Sequence, residues 1–399
     1  MKILVIHKWL VTGGVERILI NYLSLFSSLN YNVDLLVKYD LKSKNFFEKD
    51  IPKSINYNFV FSIEDFLNIE TIKNNRKNNF LSKLRYEKIK LFENTLFNRK
   101  IKLAENKKKY DIIIDFSEVL DKFIRYNSFS SKIITLRWTH GQLNIENRNR
   151  NNKPKYTKIF SRHTKVITIC NEMKDRIISQ LQYNKNNIHV IHNPINIKEI
   201  KEYSEQQVED EKFINDKYIL QVSRLVEGKG HIELLEIYAK LKSLGIQHKL
   251  YFIGEGENRI NLETKIRELN LVDDCILLGE ISNPYPYFKN ADLFVHTSES
   301  EGLPTVLLES MVLGIPVVSM DCPTGPKDIL GQNSEYGKLV PMHDQDSFIS
   351  AVFELLTNRD IWLHYSEQSL ARSKDFSFEK ISLEIDKLFK EITQNNSNK

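Results

Sequence analysis

The sequence predicts an α/β protein built from two doubly wound domains in tandem. Three observations predict it. First, short β-branched runs alternate with longer amphipathic stretches: KILVI at 2–6, NVDLLVK at 32–38, DIIIDF at 111–116, KIITLR at 132–137, KVITIC at 165–170 and HVIH at 189–192. Second, these runs show no polar alternation, the mark of parallel strands buried under helices on both faces. Third, after a polar segment at 196–216, the pattern restarts with KYILQVS at 217–223, HKLYFIG at 248–254, CILLGE at 275–280, DLFVHT at 292–297 and PVVSM at 316–320. A chain of 399 residues also exceeds what one core normally organises. The expected domains are 1–195 and 196–375, followed by 376–399, with an amphipathic helix near 378–393 and a disordered tail, QNNSNK.

Composition excludes several classes. With 41% apolar and 27% charged residues the chain reads as soluble and globular. Its three cysteines, Cys170, Cys275 and Cys322, have no paired spacing, which argues against a disulfide framework or a zinc site and fits a reducing cytosol. The N-terminus, MKILVIHKWL, reads as a first strand rather than a signal peptide. The longest apolar run, around MVLGIPVVSM, is far short of a membrane span. The expectation is a cytoplasmic protein.

In doubly wound sheets, ligands bind beyond the carboxyl ends of the strands. Five motifs occupy that position. TGGVER places Gly13 and Gly14 at the start of a helix, where backbone N–H groups can approach an anion; a tight turn serving packing alone is the other reading. VSRLVEGKG carries Arg224 and Lys229, a planar fork and a point charge suited to a diphosphate, or else two surface cations. FIGEGENR offers two glycines against which a flat aromatic base could pack. HTSESEGLPTVLLES runs from a strand end into a helix starting at Thr305. The N–H groups of Gly302, Leu303, Thr305 and Val306 suit an anion there. Glu301 and Glu309 suit sugar hydroxyls, as acceptor-only carboxylates, or serve as a cap and a solvated side chain. LRWTHG carries His140, either a site residue or a satisfied surface histidine. The Asp-x-Asp at 344–346 precedes an amphipathic run and reads as helix capping rather than a metal site. No HExxH is present, so a catalytic zinc is not expected.

Taken jointly, GGVER, WTHG at 138–141, HNPIN at 192–196, SRLVEGKG at 223–230, GEGENR at 254–259, the Glu-x7-Glu of Glu301 and Glu309, and GIPVVSMDCPTGPKDIL at 314–330 resemble the retaining glycosyltransferase family 4 across nearly the whole chain. The resemblance implies the GT-B fold, two facing Rossmann-like domains with a cleft between them, the last helix crossing back onto the first domain. It implies a metal-independent transferase that moves a hexose or N-acetylhexosamine from a UDP-sugar, with retention, to a glycan or lipid-linked acceptor in cell-surface polysaccharide assembly. Arg224 and Lys229 would hold the donor diphosphate, with Thr305 and Val306 at the helix start. Glu309 would accept from the ribose, and Glu301 with Gly302 and Leu303 would hold the donor sugar. Gly14 would let the first-domain loop close over the diphosphate. His140 would bond a sugar hydroxyl near the anomeric carbon, and the leaving phosphate would take the acceptor's proton. DCPTGPKDIL departs from the commoner form of its motif and leaves the donor sugar open.

Residues 73–109 hold thirteen Lys or Arg against three Glu. Leu84, Ile89, Leu91, Leu96, Ile101 and Leu103 recur there at roughly helical spacing, which reads as a cationic amphipathic helix on an anionic membrane surface, or as a solvated face of the first domain. A nucleic-acid partner is not expected, since the basic residues are confined to one insert. The competing functional readings are a sugar-nucleotide epimerase or phosphorylase, which the joint Arg-x4-Lys and Glu-x7-Glu patterns oppose, and a non-catalytic nucleotide-sugar binding protein.

Overall fold

The computed structural model describes residues 1–76, 80–121, 129–130, 132–141, 143, 146–147, 150–208 and 216–397. Residues 209–215 of the polar segment and 398–399 of the tail lie outside them. The chain forms two compact units. Unit 1 comprises Met1–Ile169, Lys174–Ile191 and Ser382–Lys399; unit 2 comprises Cys170–Met173 and His192–Ile381.

The strands of unit 1 are β1 (Lys2–His7), β2 (Asn32–Tyr39), β3 (Asn56–Phe61), β4 (Ile112–Asp115), β5 (Ile134–Thr139), a short antiparallel pair β6 (Glu146–Asn147) and β7 (Arg150–Asn151), β8 (Lys165–Thr168) and β9 (Ile188–Val190). Seven of them form one parallel sheet in the order β3-β2-β1-β4-β5-β8-β9. Unit 2 contributes β10 (Tyr218–Val222), β11 (Lys249–Ile253), β12 (Cys275–Gly279), β13 (Leu293–His296), β14 (Val317–Met320) and β15 (Lys338–Val340), parallel in the order β12-β11-β10-β13-β14-β15. In both sheets the order reverses beside the first strand. That leaves a crevice at the carboxyl ends of β1 and β4 and, in unit 2, of β10 and β13.

The central strands follow the sequence pattern because they are buried on both faces; β4, β13 and β14 are buried at every residue. Two edge strands were not expected. β3, NYNFVF, exposes its first three residues, and β15 has only three. An edge strand is covered on fewer sides, so it carries no apolar run to betray it.

The last helix spans Phe378–Ser397 and not 378–393, so most of the expected disordered tail is helical. Ile385, Leu388, Phe389 and Ile392 are buried along one face of it. Phe389 packs on Phe26 and Tyr31 at ring-centroid distances of 5.8 and 6.0 Å, and Tyr31 donates to Asp386 at 2.8 Å, all within unit 1.

Residues 73–109 do not form one amphipathic helix. Helix Ile63–Asn75, closed by a capping box between Ser62 and Asp65, packs against helix Phe80–Lys108. The longer helix has two apolar faces. Tyr86, Glu93, Phe97 and Ile101 face the domain. Phe80, Leu81, Leu91 and Phe92 lie on the other side and are each at least 66% exposed. Of the six apolar residues picked out by spacing, only Ile101 is fully buried, and Leu84, Leu91 and Leu103 are exposed. No helix among the described residues is long and apolar enough to cross a membrane.

The docking of the last helix sets a measurable contrast. Phe389→Ala is expected to cost about 3–5 kcal/mol in urea unfolding, the usual range for truncating a buried Phe. Leu383→Ala, on the exposed face of the same helix, should stay within about 0.5 kcal/mol of wild type.

Candidate functional site

Unit 2 brings most of the expected residues together. β10 leads into the loop carrying Arg224 and Lys229, and the neighbouring β13 leads into the loop carrying Glu301, Gly302 and Leu303. The two loops are tied by hydrogen bonds: Glu299 N–H donates to Gly228 O at 2.9 Å, and the Thr297 hydroxyl donates to Gly230 O at 3.0 Å. Gly230 is required for this closeness. Its φ is +69°, and a Cβ there would lie 2.0 Å from Thr297 O.

The result is an ion pair between the loops. Lys229 Nζ donates to Glu301 Oε1 at 2.6 Å, with both side chains largely shielded. Beneath it, His296 at the end of β13 is buried, with Nε2 3.3 Å from the same oxygen. Burial pushes the Glu301 carboxyl up, but the His296 ring and the Lys229 ammonium outweigh it and hold the group down at about 2. Arg224 lies five residues before Lys229 on the same loop and is exposed. Lys229 therefore has a partner already, and Arg224 is the cation left open to solvent.

Glu301 leads directly into the helix Thr305–Val312, whose N-cap is Pro304 with no side-chain cap. The first turn, with Thr305 and Val306 half-buried, is the anion-favouring end of the dipole. Glu309 sits half-buried one turn along. Residues after β14 brace this turn. The Thr324 hydroxyl donates to Glu301 O, and a Cβ on Gly325, at φ +101°, would lie 2.7 Å from Gly302 O. A neighbouring cavity of about 420 Å³ contains Glu227, Glu233, Glu236 and Glu299 but neither Arg224 nor Lys229, and its charge is wrong for a phosphate.

The glycines of GEGENR have another role than the one expected. A Cβ on Gly254 would lie 1.9 Å from Ser223 O, and one on Gly256 would lie 2.2 Å from Leu225 O. Leu225 N–H donates to Glu255 O, and Asn258 N–H donates to Leu225 O, both at 2.9 Å. These glycines let this loop pack on the backbone beside Arg224, so they hold a binding loop in place.

Gly14 and His140 belong to unit 1. Gly14 opens the helix Gly14–Ser28, and a Cβ there would meet nothing within 4 Å, so packing does not demand glycine at that position. Gly13 is the packed one, its Cβ position 2.3 Å from Glu16 Oε2. His140 follows β5, its ring centroid 4.3 Å from that of Phe116. Burial, then the charge of His7, push its imidazole down to about 3, so it is neutral at physiological pH. His7 in turn lies 3.5 Å from Glu16.

Asp344 accepts from Ser347 N–H at 3.0 Å and caps the helix Gln345–Thr357, as the sequence indicates. Asp115, Asp121 and His163 of unit 1 come within 4.8 Å of one another, a spacing that could hold a metal ion. Arg137 already pairs with Asp121 and with Glu118 there, which places a fixed cation at the cluster.

Three residues of the site escaped the sequence reading: His296, Thr324 and Gly325. The signal for His296 was present, as a histidine closing an otherwise apolar strand, FVH, five residues before Glu301.

Residues 184–371 match the family model described as glycosyl transferases group 1. An N-acetylgalactosamine-N,N'-diacetylbacillosaminyl-diphospho-undecaprenol 4-alpha-N-acetylgalactosaminyltransferase of Campylobacter jejuni is 32% identical over 193 residues, 48% of this chain and about half (51%) of that protein. An uncharacterized glycosyltransferase of Haemophilus influenzae is 23% identical over 92% of this chain and 94% of its own length. Among solved structures, Anabaena Alr3699/HepE in complex with UDP superposes with a TM-score of 0.75 at 18% identity, over 98% of this chain and all of the other.

The ionised Glu301 makes a pH prediction. Its carboxylate is held below the ordinary value of 4.5, so it stabilises the fold above that pH, and the contribution is lost as pH falls from about 4.5 through about 2. Glu301→Gln is expected to destabilise the protein at pH 7 by up to roughly 3 kcal/mol. Unfolding measured from pH 7 to pH 2 should show the gap to wild type closing across that window. The two parallel sheets, with the candidate site at the carboxyl ends of β10 and β13, make this chain a GT-B fold, and its segment 184–371 matches the family model of the glycosyl transferases group 1.

Proposed function

We propose that the protein is a retaining glycosyltransferase that moves a hexose or N-acetylhexosamine from a UDP-sugar to a glycan or lipid-linked acceptor in bacterial polysaccharide assembly. The observation that carries this is the Lys229–Glu301 pair at 2.6 Å, set beside exposed Arg224 and ahead of the uncapped helix Thr305–Val312. A cation for the diphosphate and an ionised carboxylate for sugar hydroxyls stand side by side. The family match to 184–371 and the naming of the Campylobacter relative for a diphospho-undecaprenol acceptor support the reading.

In this reading Arg224 and Lys229 neutralise the departing UDP, assisted by the N–H groups of Gly302, Leu303, Thr305 and Val306. Glu309 accepts from the ribose. Glu301 accepts from the donor sugar, and neutral His140 bonds a hydroxyl near the anomeric carbon. Gly14 leaves room for the diphosphate at the start of its helix. The bond from the anomeric carbon to the phosphate oxygen breaks, and the bond to the acceptor oxygen forms on the same face. The acceptor's proton passes to the departing diphosphate. The two cations supply the charge that a metal provides in other transferases, so no metal is required.

The outer face of helix Phe80–Lys108 completes the proposal. Phe80, Leu81, Leu84, Leu91 and Phe92 lie among exposed Lys83, Arg85 and Lys88, which suits an anionic bilayer surface. Such contact would bring the enzyme to a lipid-linked acceptor.

Two experiments test this. UDP release is measured against a panel of UDP-sugars, with EDTA and with a membrane extract. One sugar should be turned over, EDTA should not inhibit, and the extract should raise the rate. UDP bound with no sugar turned over under any condition would contradict the transferase reading. Separately, Leu91→Ser/Phe92→Ser should lower partition onto phosphatidylglycerol vesicles severalfold without changing the melting temperature; unchanged partition would remove the membrane contact.

A further inference from the structure

Three carboxylates of unit 1 gather around one buried guanidinium. Asp115 ends β4, and its register partner on β5 is Arg137. Neither side chain is exposed. Asp115 takes a backbone N–H on each oxygen, from Val119 at 2.9 Å and from Leu120 at 3.0 Å. These bonds turn the chain after β4 back on itself. Glu118 and Asp121, from that turn, both pair with Arg137, Glu118 at 3.1 Å. On the other side of β5, Arg137 is in register with Val166 of β8, and His163 stands just before that strand.

Two features of this cluster are not accounted for by packing. The first is its charge. Three carboxylates stand against one guanidinium, an excess of two negative charges, and a charge held out of water is costly unless it is neutralised. The second is His163. It is 4% exposed, yet neither of its ring nitrogens has a hydrogen-bond partner among the described residues. Buried polar side chains are nearly always partnered, and an exception calls for a ligand or a role. The two features meet at one place: a carboxylate oxygen of Asp115, one of Asp121 and a ring nitrogen of His163 all lie within 4.8 Å of one another.

That donor set defines a class of ion. Zn²⁺ bonds to carboxylate oxygen and imidazole nitrogen at about 2.0–2.2 Å, so one ion among these three atoms can reach them all after small side-chain shifts. Histidine is the commonest metal ligand, and its nitrogen disfavours Mg²⁺ and Ca²⁺, which prefer oxygen shells. The charge also fits. A divalent ion cancels the excess of two that Arg137 leaves. Arg137 and the ion are therefore complementary: the guanidinium meets Glu118 and Oδ1 of Asp121, which leaves the second oxygen of Asp121 to a metal.

We propose that Asp115, Asp121 and His163 form a binding site for a divalent transition-metal ion, Zn²⁺ or Mn²⁺, which fastens the turn after β4 to the segment before β8. The inference stands apart from the transferase reading, since none of the three residues is assigned to the donor. The part of the ion is structural. It joins positions 115, 121 and 163, which no motif spacing connects, and an ion bound by the folded chain alone stabilises that chain. Chelation therefore lowers the melting temperature and leaves nucleotide binding as it was.

The full chain is stripped with EDTA, dialysed, and titrated calorimetrically with Zn²⁺, Mn²⁺ and Mg²⁺, and its melting temperature is followed with each ion. The same titrations use His163→Gln and Asp121→Asn. The expected result is one Zn²⁺ or Mn²⁺ per wild-type chain, with a rise of several degrees in melting temperature and Mg²⁺ binding at least tenfold more weakly. Each variant should lose at least tenfold in affinity and lose the rise, measured against its own metal-free form. Metal-free His163→Gln should melt with metal-free wild type, because glutamine replaces a ring that had no partner to lose. Asp121→Asn gives up its ion pair with Arg137, so its metal-free form should melt lower, and only its response to metal is compared. The proposal is overturned if wild type binds neither Zn²⁺ nor Mn²⁺, or if either variant binds as tightly as wild type, which would place the ion on other side chains. Mg²⁺ binding as tightly as Zn²⁺ would also overturn it, since the imidazole would then have no part. Metal binding through these residues in a protein that does not bind UDP would support the site and count against the donor reading alone.

Discussion

One constraint organises unit 2: the loops after β10 and β13 are pressed together so closely that Lys229 and Glu301 meet at 2.6 Å. Glycine makes this contact possible. Gly230 admits Thr297 O where a side chain would stand, and Gly254 and Gly256 do the same for the backbone beside Arg224. Gly325 lets the segment after β14 close on Gly302 and Pro304. The loops are fixed by backbone contacts in regions that a L-side chain cannot occupy without strain. The charged side chains are thus pre-positioned before any ligand arrives, which lowers the ordering cost of binding.

The ion pair is also a restraint on chemistry. A partly buried lysine next to a carboxylate is not fully available to an anion, and breaking the pair leaves a shielded charge without its partner. His296 underneath supplies a second group for Glu301, so in the proposed reading the carboxylate would keep a neighbour when Lys229 turns toward phosphate. In the proposed reading, Arg224, exposed on the same loop, would meet a diphosphate without first breaking an ion pair among the described residues.

Much of this was legible in the sequence, for identifiable reasons. The central strands are buried on both faces, so their composition announces them. The turn from β13 into the helix at Thr305 carries Gly, Leu and Pro between two glutamates, and these residue types marked it as a candidate site. The edges were not legible: β3 is half polar, and β15 is three residues long. The glycines of GEGENR read as room for a base, yet they face backbone, because the neighbour across a close contact is set by tertiary packing. Helix Phe80–Lys108 defeated periodicity for a different reason. Its two opposed apolar faces cancel in any one-face reading. His296 was a single residue with no spacing partner, and only the register of β13 against the Glu301 loop gives it a role.

The central claim is that Lys229 is shared between Glu301 and a nucleotide phosphate, and a double-mutant cycle on UDP affinity tests it most directly. UDP is titrated into wild type, Lys229→Ala, Glu301→Ala and the double variant. The account predicts a non-additive cycle. Lys229→Ala should lose the most, because it removes the ammonium that offsets the Glu301 charge beside the phosphates, and removing Glu301 as well should recover part of the loss, with a coupling above about 0.5 kcal/mol. Additive effects within that margin would show that the two groups act independently on the nucleotide, and would contradict the account.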